Sequence, residues 1–122
     1  MISILVVDDE AGQRQFISGA LKEHEIITAA NGEEAVQLLS HRSVSLVVTD
    51  QRMPKMSGKE LFNWIKKNRQ SLADRIIFVT GDTVSMETRS FFEENQSFFL
   101  AKPFKIEEVR QVIQTVLQTC PH

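Results

Sequence analysis

Five polar residues in this sequence follow short apolar runs and could act together in one site. They are three aspartates, a threonine and a lysine: Asp8, Asp9, Asp50, Thr80 and Lys102. Three carboxylates held close together repel one another, and at least one tends to stay protonated unless cations balance the charge. Carboxylate oxygens with open positions around them suit Mg²⁺, which keeps several waters and binds phosphate oxygens. A carboxylate beside Mg²⁺ and an ammonium group can attack a phosphoryl group, because the cations neutralise the charge that develops during transfer.

Four of the five residues also have a purely structural explanation. Asp9 could cap a helix that begins shortly after it, and Asp50 could close an Asx-turn. Thr80 could be an ordinary strand residue, and Lys102 an ordinary surface lysine. The placement of all five after apolar runs favours a shared site, with Asp50 as the reactive group and the acidic pair as metal ligands.

The apolar runs have the composition of strands. Five runs alternate with helix-like segments, and the first, third and fourth are nearly continuous, as expected of strands that are covered on both faces. They occupy residues 2–7, 26–29, 46–49, 76–80 and 98–100.

Amphipathic patterns of helical period lie between these runs and after the last one. Their apolar stripes are Phe16, Ile17, Ala20 and Leu21; Ala35, Leu38 and Leu39; Leu61, Phe62 and Ile65; and Ile106, Val109, Ile113, Val116 and Leu117. Residues 84–94 should also be helical, although their apolar side chains fit a single stripe poorly. The motif "NGEEA" at 31–35 predicts a turn and a helix start, with Asn31 as the N-cap and Glu34 three residues later.

The alternation of strands and helices predicts a parallel sheet with right-handed crossovers and helices on both faces. We therefore predict one α/β domain, a (βα)5 unit with a doubly wound five-stranded parallel sheet, over residues 1–118, followed by a short tail at 119–122. The carboxyl ends of parallel strands lie along one edge of the sheet, where open α/β sheets bind their ligands. The five polar residues should therefore meet at this edge.

Composition and charge narrow the function classes. A chain of 122 residues fits one domain, and 16 acidic against 14 basic residues indicate no attraction to nucleic acid or to an anionic membrane. No apolar stretch is long enough to span a bilayer, and the first residues lack the basic region of a signal peptide. The single cysteine, Cys120, suits a reducing compartment. We expect a cytoplasmic protein that contacts neither nucleic acid nor membrane.

Five motifs, in their order and spacing, resemble those of the receiver domain of two-component response regulators. They are "ILVVDDE" (4–10), "NGEEA" (31–35), "LVVTDQRMPKMSG" (46–58), "IIFVTGD" (76–82) and "FFLAKPF" (98–104). Each motif alone is modestly specific, but the set is highly specific and covers residues 2–118. The resemblance implies the CheY-like, flavodoxin-type fold with strand order 2-1-3-4-5. It implies a phosphorylation-switched signalling module that is no enzyme beyond its own phosphorylation and dephosphorylation.

The resemblance also implies roles for the residues that surround the acidic pair. Asp50 matches the aspartate that accepts the phosphoryl group. Asp8 and Asp9 match the pair that binds Mg²⁺, and Arg52 matches the position whose backbone carbonyl is a further metal ligand.

A second group of residues matches the switch of the family. Thr80 matches the hydroxyl that moves toward the phosphoryl group, and Lys102 matches the lysine that pairs with it. Pro103 follows that lysine, in the family usually through a cis bond, and Phe99 matches the aromatic that turns inward on activation.

The resemblance further implies partners. The phosphoryl donor would be a sensor histidine kinase or a histidine phosphotransfer protein. The output would be a domain or effector that binds the surface formed by the predicted fourth helix, the fifth strand and the last helix. The resemblance also allows a homodimer that forms on phosphorylation.

Other interpretations fit the sequence less well. An aspartyl-phosphate phosphatase of the haloacid dehalogenase type carries a DxD pattern on its first strand, whereas Asp8 and Asp9 are adjacent. A flavodoxin-like cofactor binder needs a glycine-rich phosphate loop after the first strand, and none follows. A receiver that works without phosphorylation need not retain all five polar residues. A receiver module excised from a hybrid histidine kinase agrees with the sequence, which identifies no output domain.

Overall fold

A computed structural model of the chain describes residues 2–51, 56–80, 98–101 and 104–119. Its strands are β1 (Ser3–Val7), β2 (Glu25–Ala29), β3 (Leu46–Asp50), β4 (Ile76–Thr80) and β5 (Phe98–Ala101). They form one parallel sheet in the order β2-β1-β3-β4-β5, which confirms the predicted fold class.

Four helices are described, and the last of them is the C-terminal helix. They are α1 (Ala11–Ala20), α2 (Gly32–His41), α3 (Gly58–Asn68) and α4 (Ile106–Thr119). A short 3-10 helix at Gln70–Leu72, which the sequence pattern did not predict, precedes β4. The helix predicted at 84–94 lies outside the described residues. In the part of the chain that is described, no helix has the length and apolar character to cross a membrane.

The central strands β1, β3 and β4 are buried on both faces, and β1 shows how the two cores arise. Ile4 and Val6 pack into one core with residues of α1 and α4, whereas Leu5 and Val7 pack into a second core with residues of α2 and α3. Side chains alternate between the two faces of a strand, so a continuous apolar run supplies both cores at once. Full burial of each such side chain contributes about 1.5–3 kcal/mol.

The predicted helical stripes are mostly buried, with two corrections. Ile17, Ala20 and Leu21 of the first stripe are buried, but Phe16 is 41% exposed and packs edge-on against Phe104 at a centroid distance of 5.8 Å. Ile106, at the start of α4, is 40% exposed. Periodicity locates a stripe but does not say how far the neighbouring elements cover its margins.

The starts of α2 and α3 are fixed by side-chain caps. The Asn31 side chain accepts a hydrogen bond from the Glu34 amide at 2.9 Å, which confirms the predicted cap of α2. A reciprocal capping box joins Ser57 and Glu60 at the start of α3. Such caps pair amides that the first turn of a helix leaves without backbone acceptors.

Candidate functional site

Asp8 and Asp50 follow equivalent positions on two neighbouring strands. Val7 pairs with Thr49 in the β1–β3 register, so the next residue of each strand is an aspartate at the same level. Both residues are buried, Asp8 at 1% exposed and Asp50 at 6%. The structure therefore brings together two carboxylates that lie 42 residues apart along the chain.

The turn after β1 is organised around Asp8. Its amide donates to the Ala29 carbonyl of β2 at 3.1 Å, and its Oδ1 accepts from the Glu10 amide at 2.9 Å. Carboxylate oxygens of Asp8, Asp9 and Glu10 all lie within 4.8 Å of one another, and Asp9 and Glu10 are exposed. The N-cap of α1 is Glu10, without a side-chain cap bond, so the structure contradicts the alternative role of Asp9 as a helix cap.

A cation close to this turn was not identified from the sequence. Nη1 of Arg14, in the second turn of α1, donates to the backbone carbonyl of Asp8. The Arg14 amide also donates to the Glu10 carbonyl at 3.1 Å, so the turn and the helix are joined by two hydrogen bonds. Its position one helical turn after Glu10 was the available sequence signal, but the choice of acceptor depends on the fold.

The backbone after Asp50 is held on both sides. The Gln51 amide donates to the Val79 carbonyl of β4 at 3.0 Å, and the Gln51 carbonyl accepts from the Gly58 amide at 3.0 Å. The first bond continues the β3–β4 pairing past Asp50, and the second ties the start of α3 to the strand end. Asp50 therefore occupies a rigid junction between the sheet and α3.

The remaining predicted site residues are described in part or not at all. Thr80 is the last residue of β4, and its backbone pairs with Ala101 of β5, but the position of its side chain is not described. Arg52, Lys102 and Pro103 lie outside the described residues.

Phe99, the predicted switch aromatic, is 46% exposed on β5. It lines an open groove of about 410 Å³ between β5 and α4. The other lining residues are Phe98, Leu100, Glu108, Gln111, Val112 and Thr115. Phe99 is thus turned outward in this structure.

The donor set of the acidic edge fits a hard divalent cation. Two buried carboxylates at one level, next to the exposed Asp9, would lose free energy through mutual repulsion and desolvation if nothing balanced their charge. Carboxylate oxygens are the preferred ligands of Mg²⁺, and an ion held on one side only retains water positions that phosphate oxygens can take. These residues therefore suit a magnesium site that also receives a phosphoryl group.

Comparison with known proteins agrees with this geometry. The family model for the response regulator receiver domain matches residues 4–114. The two-component response regulator ORR5 of Oryza sativa subsp. japonica is 32% identical, over 94% of this chain and 88% of its own length. A histidine kinase of Formosa agariphila is 30% identical over 95% of this chain, which corresponds to 8% of that kinase.

A solved structure gives the same result for the fold. The response regulator TrrA of Thermotoga maritima, in complex with Mg²⁺-BeF, matches with a TM-score of 0.83 and 32% identity. The match covers 95% of this chain and 99% of that one. The strand order, the acidic edge and these matches together show that the chain belongs to the response regulator receiver domain family, the phosphorylation-switched signalling domains of two-component systems.

Proposed function

We propose that Asp50 of this receiver accepts a phosphoryl group and that the β5–α4 surface changes in response. The observation that carries the proposal is the burial of Asp8 and Asp50 at one level of adjacent strands. A fold that confines two like charges in this way needs a counter-charge, and a site with that need suits a cation and a phosphoryl group bound together. The solved TrrA complex with Mg²⁺-BeF supports the same interpretation.

Mg²⁺ would be held by the carboxylates of Asp8, Asp9 and Asp50 and by the backbone carbonyl of Arg52. When bound, the ion neutralises charge on the phosphoryl oxygens during transfer. The rigid junction at Asp50 would contribute by keeping its carboxylate aligned, because Gln51 is bonded on one side to Val79 and on the other to Gly58.

The donor would be a phosphohistidine of a histidine kinase or a phosphotransfer protein. An Asp50 carboxylate oxygen attacks the phosphorus in line, the new O–P bond forms as the P–N bond breaks, and the histidine nitrogen leaves with the electron pair. Lys102 would pair with the transferred group, and the Thr80 hydroxyl would donate to one of its oxygens. Water later hydrolyses the acyl phosphate and returns Asp50 to its free form.

Backbone amides near Asp50 would also donate to the transferred group. The Gln51 amide is already used by the Val79 carbonyl in this structure. We therefore assign the second donor to the amide of Gly81, which follows Thr80 and lies outside the described residues.

The response would pass from Thr80 to Phe99. Movement of Thr80 toward the phosphoryl group would leave space behind it, and Phe99, which is 46% exposed here, would rotate inward to fill that space. The groove between β5 and α4 would change shape, and phosphorylation would act by shifting the populations of two states. Pro103 would hold the backbone of Lys102 at the edge of this switch.

The signal of the phosphorylated domain would be passed to a partner. We propose an effector protein or a fused output domain that reads the β5–α4 groove. The chain matches a short part of a much longer histidine kinase. A receiver module within a hybrid kinase is therefore the alternative. The cytoplasmic location and the domain limits at 118 and 119 stay predictions, as does the absence of activity beyond the chain's own phosphorylation.

The proposal is tested by incubating the chain with acetyl phosphate and Mg²⁺ and measuring its intact mass. We expect the mass of one phosphoryl group to be added, and we expect Asp50→Asn to abolish the addition. Asp74→Asn is the matched control, because Asp74 is an exposed aspartate in the connection to β4. Undiminished labelling of Asp50→Asn would refute the assignment of the acceptor.

A further inference from the structure

The segment that carries the acidic pair is bonded at both of its ends by Arg14. Nη1 of Arg14 donates to the Asp8 carbonyl, and the Arg14 amide donates to the Glu10 carbonyl at 3.1 Å. Within the segment, the Glu10 amide donates to Asp8 Oδ1 at 2.9 Å. The side chain of Arg14 therefore holds the first residue of the segment and its backbone holds the last, with Asp9 between them.

The side-chain bond of Arg14 sets the orientation of one peptide group. The peptide that joins Asp8 to Asp9 is planar and trans, so the direction of the Asp8 carbonyl fixes the direction of the Asp9 amide and the position of the Asp9 Cα. Rotation of this peptide would also carry the Glu10 amide away from Asp8 Oδ1. The guanidinium thus acts on both carboxylates of the pair, through the backbone from which they project.

Burial makes this bond hard to replace with water. Asp8 is 1% exposed and Arg14 is partly buried, so the Asp8 carbonyl would be poorly hydrated if the guanidinium were removed. A hydrogen bond from a charged donor is also stronger than one between two neutral groups. Loss of the Arg14 side chain should therefore allow the Asp8–Asp9 peptide to turn toward a new donor.

The carboxylates on this segment already have a spacing that suits one metal ion. Carboxylate oxygens of Asp8 and Asp9 lie within 4.8 Å of one another, and opposite ligands of one octahedral Mg²⁺ are about 4.2 Å apart. Because Mg²⁺ demands near-ideal geometry, ligands that are held in place beforehand bind it more tightly than ligands that must first be ordered. Groups that orient metal ligands without touching the ion contribute in this way.

The charge of Arg14 has the opposite effect on a bound cation. A guanidinium beside the acidic edge repels Mg²⁺, so its charge alone weakens binding, whereas its hydrogen bond strengthens binding by orienting the ligands. Charge and geometry therefore predict opposite results for the removal of this side chain, and one measurement of affinity separates them.

We propose that Arg14 is a positioning residue that orients Asp8 and Asp9 and so raises the magnesium affinity of the acidic edge. The proposal rests on the proposed function, because it assumes that Mg²⁺ binds beside Asp50. It adds a residue of α1 that acts through the backbone of the acidic pair and not by contact with the ion. The gain from orientation outweighs the repulsion between the guanidinium and Mg²⁺.

The test measures the Mg²⁺ dissociation constant of the wild-type chain, Arg14→Lys and Arg14→Met by calorimetric titration. Methionine keeps a long stem but removes the donor and the charge, whereas lysine keeps the charge but lacks the reach and the planar fork of arginine. We expect the constant to rise about tenfold in Arg14→Met, the scale seen when supports of metal ligands are removed, and by a smaller factor in Arg14→Lys. An unchanged or lower constant in Arg14→Met, as repulsion alone predicts, would overturn the proposal.

A second neutral variant keeps the test decisive if Arg14→Met does not fold. Arg14→Gln also removes the charge, and its amide is two bonds too short to take the place of Nη1. Its Mg²⁺ dissociation constant should rise as in Arg14→Met, and an unchanged or lower value would again overturn the proposal.

Arg110→Met is the matched control for loss of an arginine that supports α1. Nε of Arg110 donates to the Ala20 carbonyl at 3.0 Å, at the end of α1 that lies about 15 Å from its start. The substitution removes the same charge and the same kind of bond, but remote from the acidic edge, so the Mg²⁺ constant should stay unchanged. If Arg110→Met raised the constant as much as Arg14→Met, the effect would be a general loosening of α1 and the proposal would fail.

The rate of labelling by acetyl phosphate gives an independent readout. In Arg14→Met the Mg²⁺ concentration that gives half of the maximal rate should rise about tenfold, while the maximal rate stays close to that of the wild-type chain. A lower maximal rate at an unchanged half-maximal Mg²⁺ concentration would indicate a merely structural role and would contradict the proposal. Absence of Mg²⁺ binding by the wild-type chain would instead refute the proposed function.

Discussion

Asp8 and Asp50 stand at the same level of adjacent parallel strands because Val7 pairs with Thr49 one residue before each of them. Both carboxylates are buried, so each is largely removed from water. Water therefore screens the repulsion between their negative charges only weakly. Repulsion between the two carboxylates therefore opposes folding to the extent that their charge is not balanced, and a bound cation would relieve it. This relationship makes the stability of the domain depend on the charge at its acidic edge.

The first prediction is that Asp8→Asn stabilises the chain in the absence of divalent cations. Asparagine has the same shape, and its Oδ1 can still accept the hydrogen bond from the Glu10 amide. The substitution removes one buried negative charge, and we expect the free energy of unfolding to rise by about 1 kcal/mol. Urea denaturation in the presence of EDTA measures this change.

The same variant should respond less to magnesium. Ligand binding to the folded state stabilises it by mass action, so millimolar Mg²⁺ should raise the urea midpoint of the wild-type chain more than that of Asp8→Asn. Asp74→Asn, at an exposed position, should show neither effect. A fall in stability of Asp8→Asn in EDTA would contradict the view that repulsion dominates at this edge.

The second prediction concerns Arg14, whose guanidinium donates a hydrogen bond to the Asp8 carbonyl. Arg14→Met keeps a long apolar stem but removes the donor, and Asp8 is buried, so the free energy of unfolding should fall by about 1–2 kcal/mol. Chemical denaturation measures the loss. Arg42→Met is the matched control, because Arg42 is exposed and forms a 3.7 Å surface ion pair with Glu25. That control should change the free energy of unfolding by about 0.5 kcal/mol or less. Equal losses of stability in the two variants would contradict the prediction.

The positions of the central strands β1, β3 and β4 were predictable from the sequence because these strands are buried on both faces. A continuous run such as Leu46–Val48 serves two cores at once, so its end, and with it the position of Asp50, can be recognised without knowledge of the partners. A parallel sheet with these strand ends already predicts that Asp8 and Asp50 lie at the same edge of the sheet. The exact register, Val7 with Thr49, comes only from the folded chain.

Features that depend on a particular tertiary approach were not predicted. The exposure of Phe16 depends on how far the segment around Phe104 covers one side of α1. The bond of Arg14 to the Asp8 carbonyl depends on the path of the β1–α1 turn. The capping box of Ser57 and Glu60 was not predicted either, although the spacing of its serine and glutamate is a recognised sequence signal for a helix start.

The third prediction is that the cap of α3 stabilises the domain by about 1 kcal/mol. Ser57→Ala removes the acceptor of the Glu60 amide and should lower the free energy of unfolding by that amount. Urea denaturation again gives the value. Ser40→Ala is the control, because the exposed Ser40 hydroxyl donates to the Val36 carbonyl of its own helix, and this substitution should be close to neutral. An equal effect at the two serines would contradict a specific capping role.

The fourth prediction follows the aromatic of the proposed switch. Phe99 is 46% exposed in this structure, so a tryptophan placed there should begin in contact with water. In a chain whose only tryptophan has been removed by Trp64→Phe, Phe99→Trp should therefore emit at long wavelength. Addition of Mg²⁺ with beryllofluoride, a phosphoryl mimic, should shift the emission to shorter wavelength as the indole turns inward. The shift should require Asp50 and should disappear with Asp50→Asn.

The control for this reporter is Ile106→Trp in the same background. Ile106 is 40% exposed and begins α4, where no inward rotation is expected, so its emission should change little. The comparison separates local burial of Phe99 from a general tightening of the domain. If beryllofluoride shifted both reporters equally, or neither, while intact mass or calorimetry showed that it binds, Phe99 would not be the moving part. The signal would then have to leave Asp50 by a route that does not depend on Phe99, although Phe99 lines the β5–α4 groove.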